Sequence, residues 1–457
     1  MSSKPPLMHQ LSPGDHLSPR IHVPKLLYFA SDASPQEIEK SFRDGLARSI
    51  AALPLLGGSV SLMETASQKG TLAIQDPVFT ADQIISVRDV RERYDFHDIK
   101  SKHFPPDAIN IEDFMAHVAE NPKRVLHAQV NLIRGGAVLV IAVHHCVVDE
   151  TGIFDVVKLW ATCCNNGDEG SRIVKPEWTN REPLMKGEGT GRLEDHPEFT
   201  LLPPDKSATN ETKAAEYISK ASDTSSSAIL FFSDESLAGL KTFAGAGEKE
   251  SWISTNDALC ALIWSSVTKA RQDAGMGEIP YSMFNMVVNG RSRMDPPVSE
   301  DYMGNVVFVS KAFLTTEILA STTSIPTIAS TLRKSVQEID DKIIKDKIKA
   351  VASVDDIGRL APGGYNSHGR HLGCTSWANQ AYYSLGWGSK LGGRCERVRW
   401  RNKISDGIFV IFPRILSESG IESRGGLEVY LGLQKEQLRS LQKDETLNSY
   451  AEWRYFR

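Results

Sequence analysis

An apolar strand with no polar face constrains this chain most. Residues Ala137 to Val143 (AVLVIAV) are apolar in both alternations, and such a strand belongs inside a sheet covered on two sides. Before it, Arg124 to Arg134 alternates Leu126, Ala128, Val130 and Leu132 with His127, Gln129 and Asn131, the pattern of a half-buried strand. Gly135-Gly136 supplies the hairpin turn between them. The apolar strand runs into His144-His145-Cys146-Val147-Val148-Asp149, and beyond Gly152 the spacing of Ile153, Val156, Val157 and Trp160 predicts a helix. The His and Asp cluster therefore occupies a strand-to-helix junction deep in the fold, where sheets commonly hold chemistry.

Helices and strands alternate elsewhere. Lys25 to Ala30 reads as a strand, and Ser34-Pro35-Gln36-Glu37 is a capping box opening a helix whose buried face is Ile38, Phe42, Leu46 and Ile50. From Asn165 to about Ser227 the chain turns polar and rich in Gly and Pro, a long crossover. A second half follows with the strand Ala228 to Phe232, the capping box Ser254 to Asp257 with its apolar helix, and strands at Tyr281 to Val288, Gly407 to Pro413 and Leu427 to Leu433. The simplest organisation is two α/β (α+β) domains of similar size: residues 1–165, a linker 166–227, and residues 228–457.

Composition excludes several classes. At about 150 residues per domain, 457 residues suggest two or three domains with a large core. Lys plus Arg (52) against Asp plus Glu (57) leaves a net charge of -5, so no global positive field exists to hold nucleic acid. Six cysteines without a CxxC pair are not a disulfide scaffold and fit a reducing, cytoplasmic setting. The N-terminus has prolines and charges where a signal peptide needs its apolar stretch, and no run is long enough to span a bilayer.

From the residues alone, His145 is a candidate general base, because a neutral imidazole accepts a proton from an alcohol or amine near working pH. Asp149 either orients that ring or turns away to a cation and locks the loop; the sequence leaves both open, and His144 and His145 also fit as structural histidines. Gly245-Ala246-Gly247-Glu248-Lys249 is too short for a P-loop, and no GxSxG elbow occurs. His368 and His371 lack Cys or carboxylate companions, and the His144, His145, Asp149 set lacks an evident third distant ligand, so no metal is expected.

The second half carries Val288-Asn289-Gly290-Arg291-Ser292-Arg293-Met294-Asp295-Pro296-Pro297, Tyr302-Met303-Gly304-Asn305, Thr375-Ser376-Trp377 and Leu385-Gly386-Trp387-Gly388. With HHxxxD, the opening LSPGDHLSPRIHVPKLLYFA and the segment STNDALCALIWSSVTKAR, this order resembles the BAHD superfamily of acyl-CoA-dependent acyltransferases, in its fungal trichothecene 3-O-acetyltransferase-like branch. The resemblance covers nearly the whole chain. It implies two chloramphenicol-acetyltransferase-like domains, each a mixed sheet with flanking helices, and a channel between them that admits acyl-CoA from one face and a small-molecule alcohol from the other. His145 would be the base, and Asp149 would pair with Arg291 as structural support. The Trp377 indole N–H would reach the oxyanion, although a buried tryptophan is as often plain core. Thr375 would face ligand, and Ser254, Thr255 and Asn256 would lie on the CoA side. Lys390 to Lys403 either attracts phosphate or is an exposed strand face, the latter preferred.

Two departures stand out. The family's DFGWG reads Ser384-Leu385-Gly386-Trp387-Gly388 here, without its acid, which bears on local stability more than on chemistry. After HxxxD comes Glu150 where glycine is common, placed to bear on acceptor access. The expected function is acyl transfer, first of all acetyl from acetyl-CoA, to a hydroxyl of a terpenoid or alkaloid secondary metabolite, by a monomer holding both halves of its site. The competing readings on the same fold are a condensation-type domain fed by a carrier protein, which the NGRSRMDPP and TSW landmarks oppose, and a recruited cyclase or binding protein.

Overall fold

Two of the sequence's capping signals, at Ser34 and Ser254, open helices where expected. A computed structural model describes residues 7–115, 123–167, 170–203, 225–245, 252–275, 280–362, 370–400, 403–417 and 424–457. In the first half, β1 (His22–Ala30) leads into α1 (Pro35–Ala52), whose cap Ser34 accepts from the Glu37 N–H. Then come β2 (Ile85–Asp89), β3 (Leu126–Ile133), β4 (Gly136–His144) and α2 (Glu150–Asn166). They form one sheet in the order β1, β4, β3, β2, antiparallel except for the β2–β3 pair. Gly135, at φ +74°, turns the β3–β4 hairpin in a conformation that suits glycine.

β4 is buried along its whole length, as its composition requires. Leu139, Ile141 and Val143 pack in one apolar cluster with Phe42 of α1 and Trp160 of α2; Val138 and Val140 pack in another with Phe96, Phe104 and Phe114. β3 differs from the half-buried expectation, since every residue in it is buried. Its polar side chains are satisfied inside: Gln129 donates to the Asp113 carbonyl at 2.9 Å and Asn131 to the Phe114 carbonyl at 3.1 Å. The segment around Asp113 therefore covers the face that alternation had left to water.

The second half holds β5 (Ser225–Ser233), α3 (Thr255–Asp273), β6 (Tyr281–Asn289), β7 (Val307–Thr315), β8 (Leu372–Ser376), β9 (Ile408–Ile411), β10 (Gly426–Gln434) and β11 (Glu452–Phe456). The sheet order is β7, β6, β8, β9, β10, β5, β11, with β8 parallel to both its neighbours. α3 buries a nearly continuous run from Asp257 to Thr268. Cys374 on β8 lies 3.8 Å from Cys260 of α3, sulfur to sulfur, and both are free and buried.

The chain crosses between the sheets a second time. The strand Arg397–Arg399 pairs antiparallel with β1 at the edge of the first sheet. Upstream, Trp387 of the GWG element packs edge-on against Phe29 and Phe42 in the first half's core. The exposed-face reading of Lys390 to Lys403 is thus corrected: Arg397 and Arg399 are 1% and 2% exposed. Arg399 grips Glu428 of β10 with bonds of 2.7 and 3.2 Å, and Arg454 adds one of 2.9 Å. Burial opposes ionisation of Glu428, but Arg397 and Arg399 hold its carboxyl well below the usual carboxylate range. Alternating basic residues look like an exposed face only while the buried acid that gathers them stays unseen.

Among the described residues no helix is long and apolar enough to cross a membrane. The polar stretch 204–224, the Ala246 to Lys249 part of the discarded P-loop match, His368 and Arg401 lie outside the described residues.

Candidate active site

From His144 to Glu150, only His145 and Glu150 are partly exposed; His144, Cys146, Val147, Val148 and Asp149 are buried. The paired histidines therefore do different things. His144 points into the fold, edge-on to His22 at 5.0 Å between ring centroids, and His22 meets His127 at 4.8 Å. Burial lowers the pKa of His144 well below the ordinary value and that of His127 to about 3, so these rings are packed as neutral groups. Among the described residues no group of three or more His, Cys, Asp or Glu is arranged to hold a metal ion.

The backbone of His145 is pinned on both sides. Its N–H donates to the Ile21 carbonyl at 2.8 Å, and its carbonyl accepts from the Asn305 side-chain amide at 2.8 Å. Burial lowers the imidazole pKa, with the backbone carbonyls of His145 and Val148 and the charge of Asp149 pulling the other way. A fixed, partly exposed, neutral imidazole is competent to accept a proton.

Asp149 does not hold that ring. Its carboxylate receives the Gly152 N–H at 3.1 Å as the N-cap of α2, the Val306 N–H at 3.1 Å, and a two-pronged contact from Arg291 at 2.8 and 3.0 Å. Both residues are at most 1% exposed. Arg291, in the 3-10 turn after β6, also donates to the carbonyls of Tyr302 and Gly304. Of the two roles the sequence left open for Asp149, the contacts are those of the lock. Arg293 turns elsewhere, to the carbonyls of Val336 and Ile339. The glycine at 152 is needed because a Cβ there would lie 1.9 Å from the Met303 carbonyl oxygen.

The sequence reading missed a second lock. Asp15, in the turn Pro13–His16, accepts from Arg181 at 2.9 Å and from the Asn305 backbone and side chain at 3.0 and 3.1 Å. Arg181 also donates to the Val147 carbonyl at 3.1 Å. The loop carrying His145 is thus held from three separate regions of the chain. A signal existed: Ser12-Pro13-Gly14-Asp15 is a capping box with proline at its first helical position.

Trp377 is 3% exposed and packs against Trp400 and Phe412 at 6.0 and 5.7 Å. It meets the histidine loop through charge. Lys25 of β1 places its Nζ 3.0 Å from the indole centroid and 2.6 Å from a Glu150 carboxylate oxygen, and the Tyr382 hydroxyl donates to the other oxygen at 2.9 Å. Glu150 is thereby turned onto its own partners. Thr375 sits partly exposed on β8. Ser254 spends its hydroxyl on capping α3, and Asn256 donates to the sulfurs of Cys260 and Met286; these two and Thr255 are partly exposed.

The Transferase family model matches residues 3–448. Acyltransferase BOA11 of Botryotinia fuckeliana (strain B05.10) is 25% identical, covering 97% of this chain and 97% of its own length. Trichothecene 8-O-acetyltransferase of Fusarium sporotrichioides is 24% identical over 95% of this chain and 96% of its own. The crystal structure of F. sporotrichioides TRI101 complexed with Coenzyme A and T-2 has the same fold, with a TM-score of 0.76 at 21% identity over 98% of this chain and 100% of that one. With 446 consecutive residues inside the family match and the HHxxxD and NxRxR elements locked together in space, the chain belongs to the Transferase family, the BAHD acyl-CoA-dependent acyltransferases.

Proposed function

We propose that this protein transfers an acetyl group from acetyl-CoA to a hydroxyl of a terpenoid or alkaloid secondary metabolite, with His145 as general base. The observation that carries the reading is His145 itself: the one partly exposed imidazole of the loop, kept neutral by burial and fixed by hydrogen bonds at its own N–H and C=O. The named acetyltransferase relative supports the acyl group and the acceptor class, and the TRI101 complex with Coenzyme A supports the donor.

In this mechanism the His145 imidazole takes the acceptor's hydroxyl proton as the oxygen attacks the thioester carbonyl. The C=O bond becomes a C–O⁻ in the tetrahedral intermediate, which collapses, breaks the C–S bond and expels the thiolate. The imidazolium returns its proton to that sulfur, and no acyl-enzyme forms. The Trp377 indole N–H is the proposed donor to the oxyanion. Thr375, Ser254, Thr255 and Asn256 are the proposed contacts on the CoA side, with the last three at the N-terminus of α3, where negative charge is favoured. Asp149 and Arg291 keep the loop in place without touching the reacting atoms. The proposal has residues 1–165 supplying the base and 228–457 supplying Arg291 and Trp377, joined by 166–227, in a monomeric cytoplasmic enzyme.

The test is acetyl transfer by the purified protein to a panel of terpenoid and alkaloid alcohols, read by mass spectrometry. His145→Ala should lower kcat/KM by about 10²- to 10⁴-fold. Turnover unchanged in that variant, or product formed without any CoA thioester, overturns the reading.

A further inference from the structure

Lys25 occupies a position that its strand reserves for hydrocarbon. Val23, Lys25, Leu27 and Phe29 share one face of β1, and Leu27 and Phe29 are fully buried core residues. Lys25 is equally buried, at 0% exposure. A buried ammonium is unfavourable unless it is paired and put to some use. Its surroundings are specific. One carboxylate, Glu150, lies 2.6 Å away in the first turn of α2, and the face of the Trp377 indole lies 3.0 Å away. Glu150 is fixed in turn by the Tyr382 hydroxyl, and Trp377 is walled by Trp400 and Phe412. A leucine would fill the same space without a charge to neutralise.

We propose that the Lys25–Glu150 pair is a positioning device for Trp377: the ammonium fixes the indole plane and, by drawing electron density from the ring, strengthens its N–H as a donor to the developing oxyanion. This rests on the acyl-transfer reading above and on Trp377 as the oxyanion donor in it. The attraction of a cation for a ring face is largest for tryptophan and grows when water is excluded, as it is here. Glu150, where the family commonly has glycine, and the buried Lys25 then become one feature, since each makes the other tolerable in the core. Burial lowers the pKa of Lys25 to about 8, with Glu150 resisting, so the ammonium persists at neutral pH. The charged or titratable groups around the pair are Tyr382 and Asp149, with Asp155 and Cys395 acting on Tyr382; burial raises the pKa of Glu150, with Lys25 and then Tyr382 resisting.

The experiment uses Lys25→Met combined with Glu150→Gln, which keeps volume and leaves no orphaned charge, alone and in a Trp377→Phe background. Transfer from acetyl-CoA to the best alcohol of the panel should fall about tenfold in kcat with KM for acetyl-CoA unchanged, and should fall no further when Trp377 is already absent. Losses that multiply across the two backgrounds, or an unchanged kcat, overturn the inference. A second readout does not need turnover: the emission difference between wild type and Trp377→Phe should titrate with a midpoint of about 8 and should stop titrating once Lys25 is Met. A flat difference spectrum overturns the coupling. If wild type shows no transfer but this titration is present, the acyl-transfer reading fails while the Lys25–Trp377 coupling stands. If transfer depends on His145 but not on the pair, the inference alone fails.

Discussion

Asp149 and Arg291 lie 142 positions apart in the chain, yet they face each other through two hydrogen bonds of 2.8 and 3.0 Å with almost no solvent contact. The pair joins the helix that follows the histidine loop to the turn that follows β6, so it ties the first half's loop to the second half's sheet. Removing one partner leaves a buried charge without its counter-charge, at a cost of about 3–5 kcal/mol. Asp149→Asn and Arg291→Met should each lose stability on that scale in chemical denaturation, and the double variant should lose less than the sum. Because the carboxylate does not hold the His145 ring, folded Asp149→Asn should keep kcat within about tenfold of wild type, far above His145→Ala. A loss as large as that of His145→Ala would mean that Asp149 orients the base.

Asn305 holds His145 at its backbone carbonyl and also acts on its imidazole, helping to raise the ring's pKa against burial. Its side-chain amide donates to the His145 carbonyl and to Asp15 and accepts from the Ser18 hydroxyl at 2.7 Å, so one residue clamps the histidine loop to the segment Asp15 to Ser18. Asn305→Ala unpairs several buried polar groups and should destabilise by about 1–3 kcal/mol. A shift of about 1 Å in the base can cost about 10²-fold, so kcat should drop well beyond what the lost folded fraction explains. KM for acetyl-CoA should change little, because the clamp lies under the base. Steady-state kinetics beside a melting curve separate the two effects, and a kcat loss matched by the unfolded fraction would remove the clamp from the catalytic argument.

What the sequence made legible was periodic or punctuated. β4 showed itself by having no polar alternation, α1 and α3 by their capping boxes, and the Asp149–Arg291 pair through the family pattern that the HHxxxD and NGRSR elements resemble. What it hid was set by partners far along the chain. Gln129 and Asn131 looked solvent-facing because the carbonyls that satisfy them belong to residues 113 and 114. Arg397 and Arg399 looked like a surface because Glu428 lies on another strand. Lys25 lay inside KLLYFA as an ordinary strand lysine, and only the packed positions of Glu150 and Trp377 give it a role. Local pattern reports the element, whereas a buried charge is explained only by its counterpart.

The buried histidines give the fold a defined weakness to acid. In an unfolded chain an imidazole gains its proton near 6.5, but burial pushes His127 down to about 3 and His16 to about 4. Between those values and 6.5 the unfolded chain binds protons that the native one refuses, so their contribution is complete above 6.5 and is lost as pH falls. Burial lifts Asp155 to about 7, and that carboxyl works in the opposite sense, protonating in the native state first. A single variant isolates one imidazole from this sum. His127, 3% exposed and edge-on to His22, can be replaced by leucine without leaving a polar atom behind. Measured by denaturant unfolding from pH 7 down to pH 5, His127→Leu should gain on wild type as pH falls below 6.5. The slope should approach about 1.4 kcal/mol per pH unit, the limit for one proton. A stability gap that stays constant over this range would mean that His127 takes up its proton within the native fold, and that water reaches a ring the structure buries.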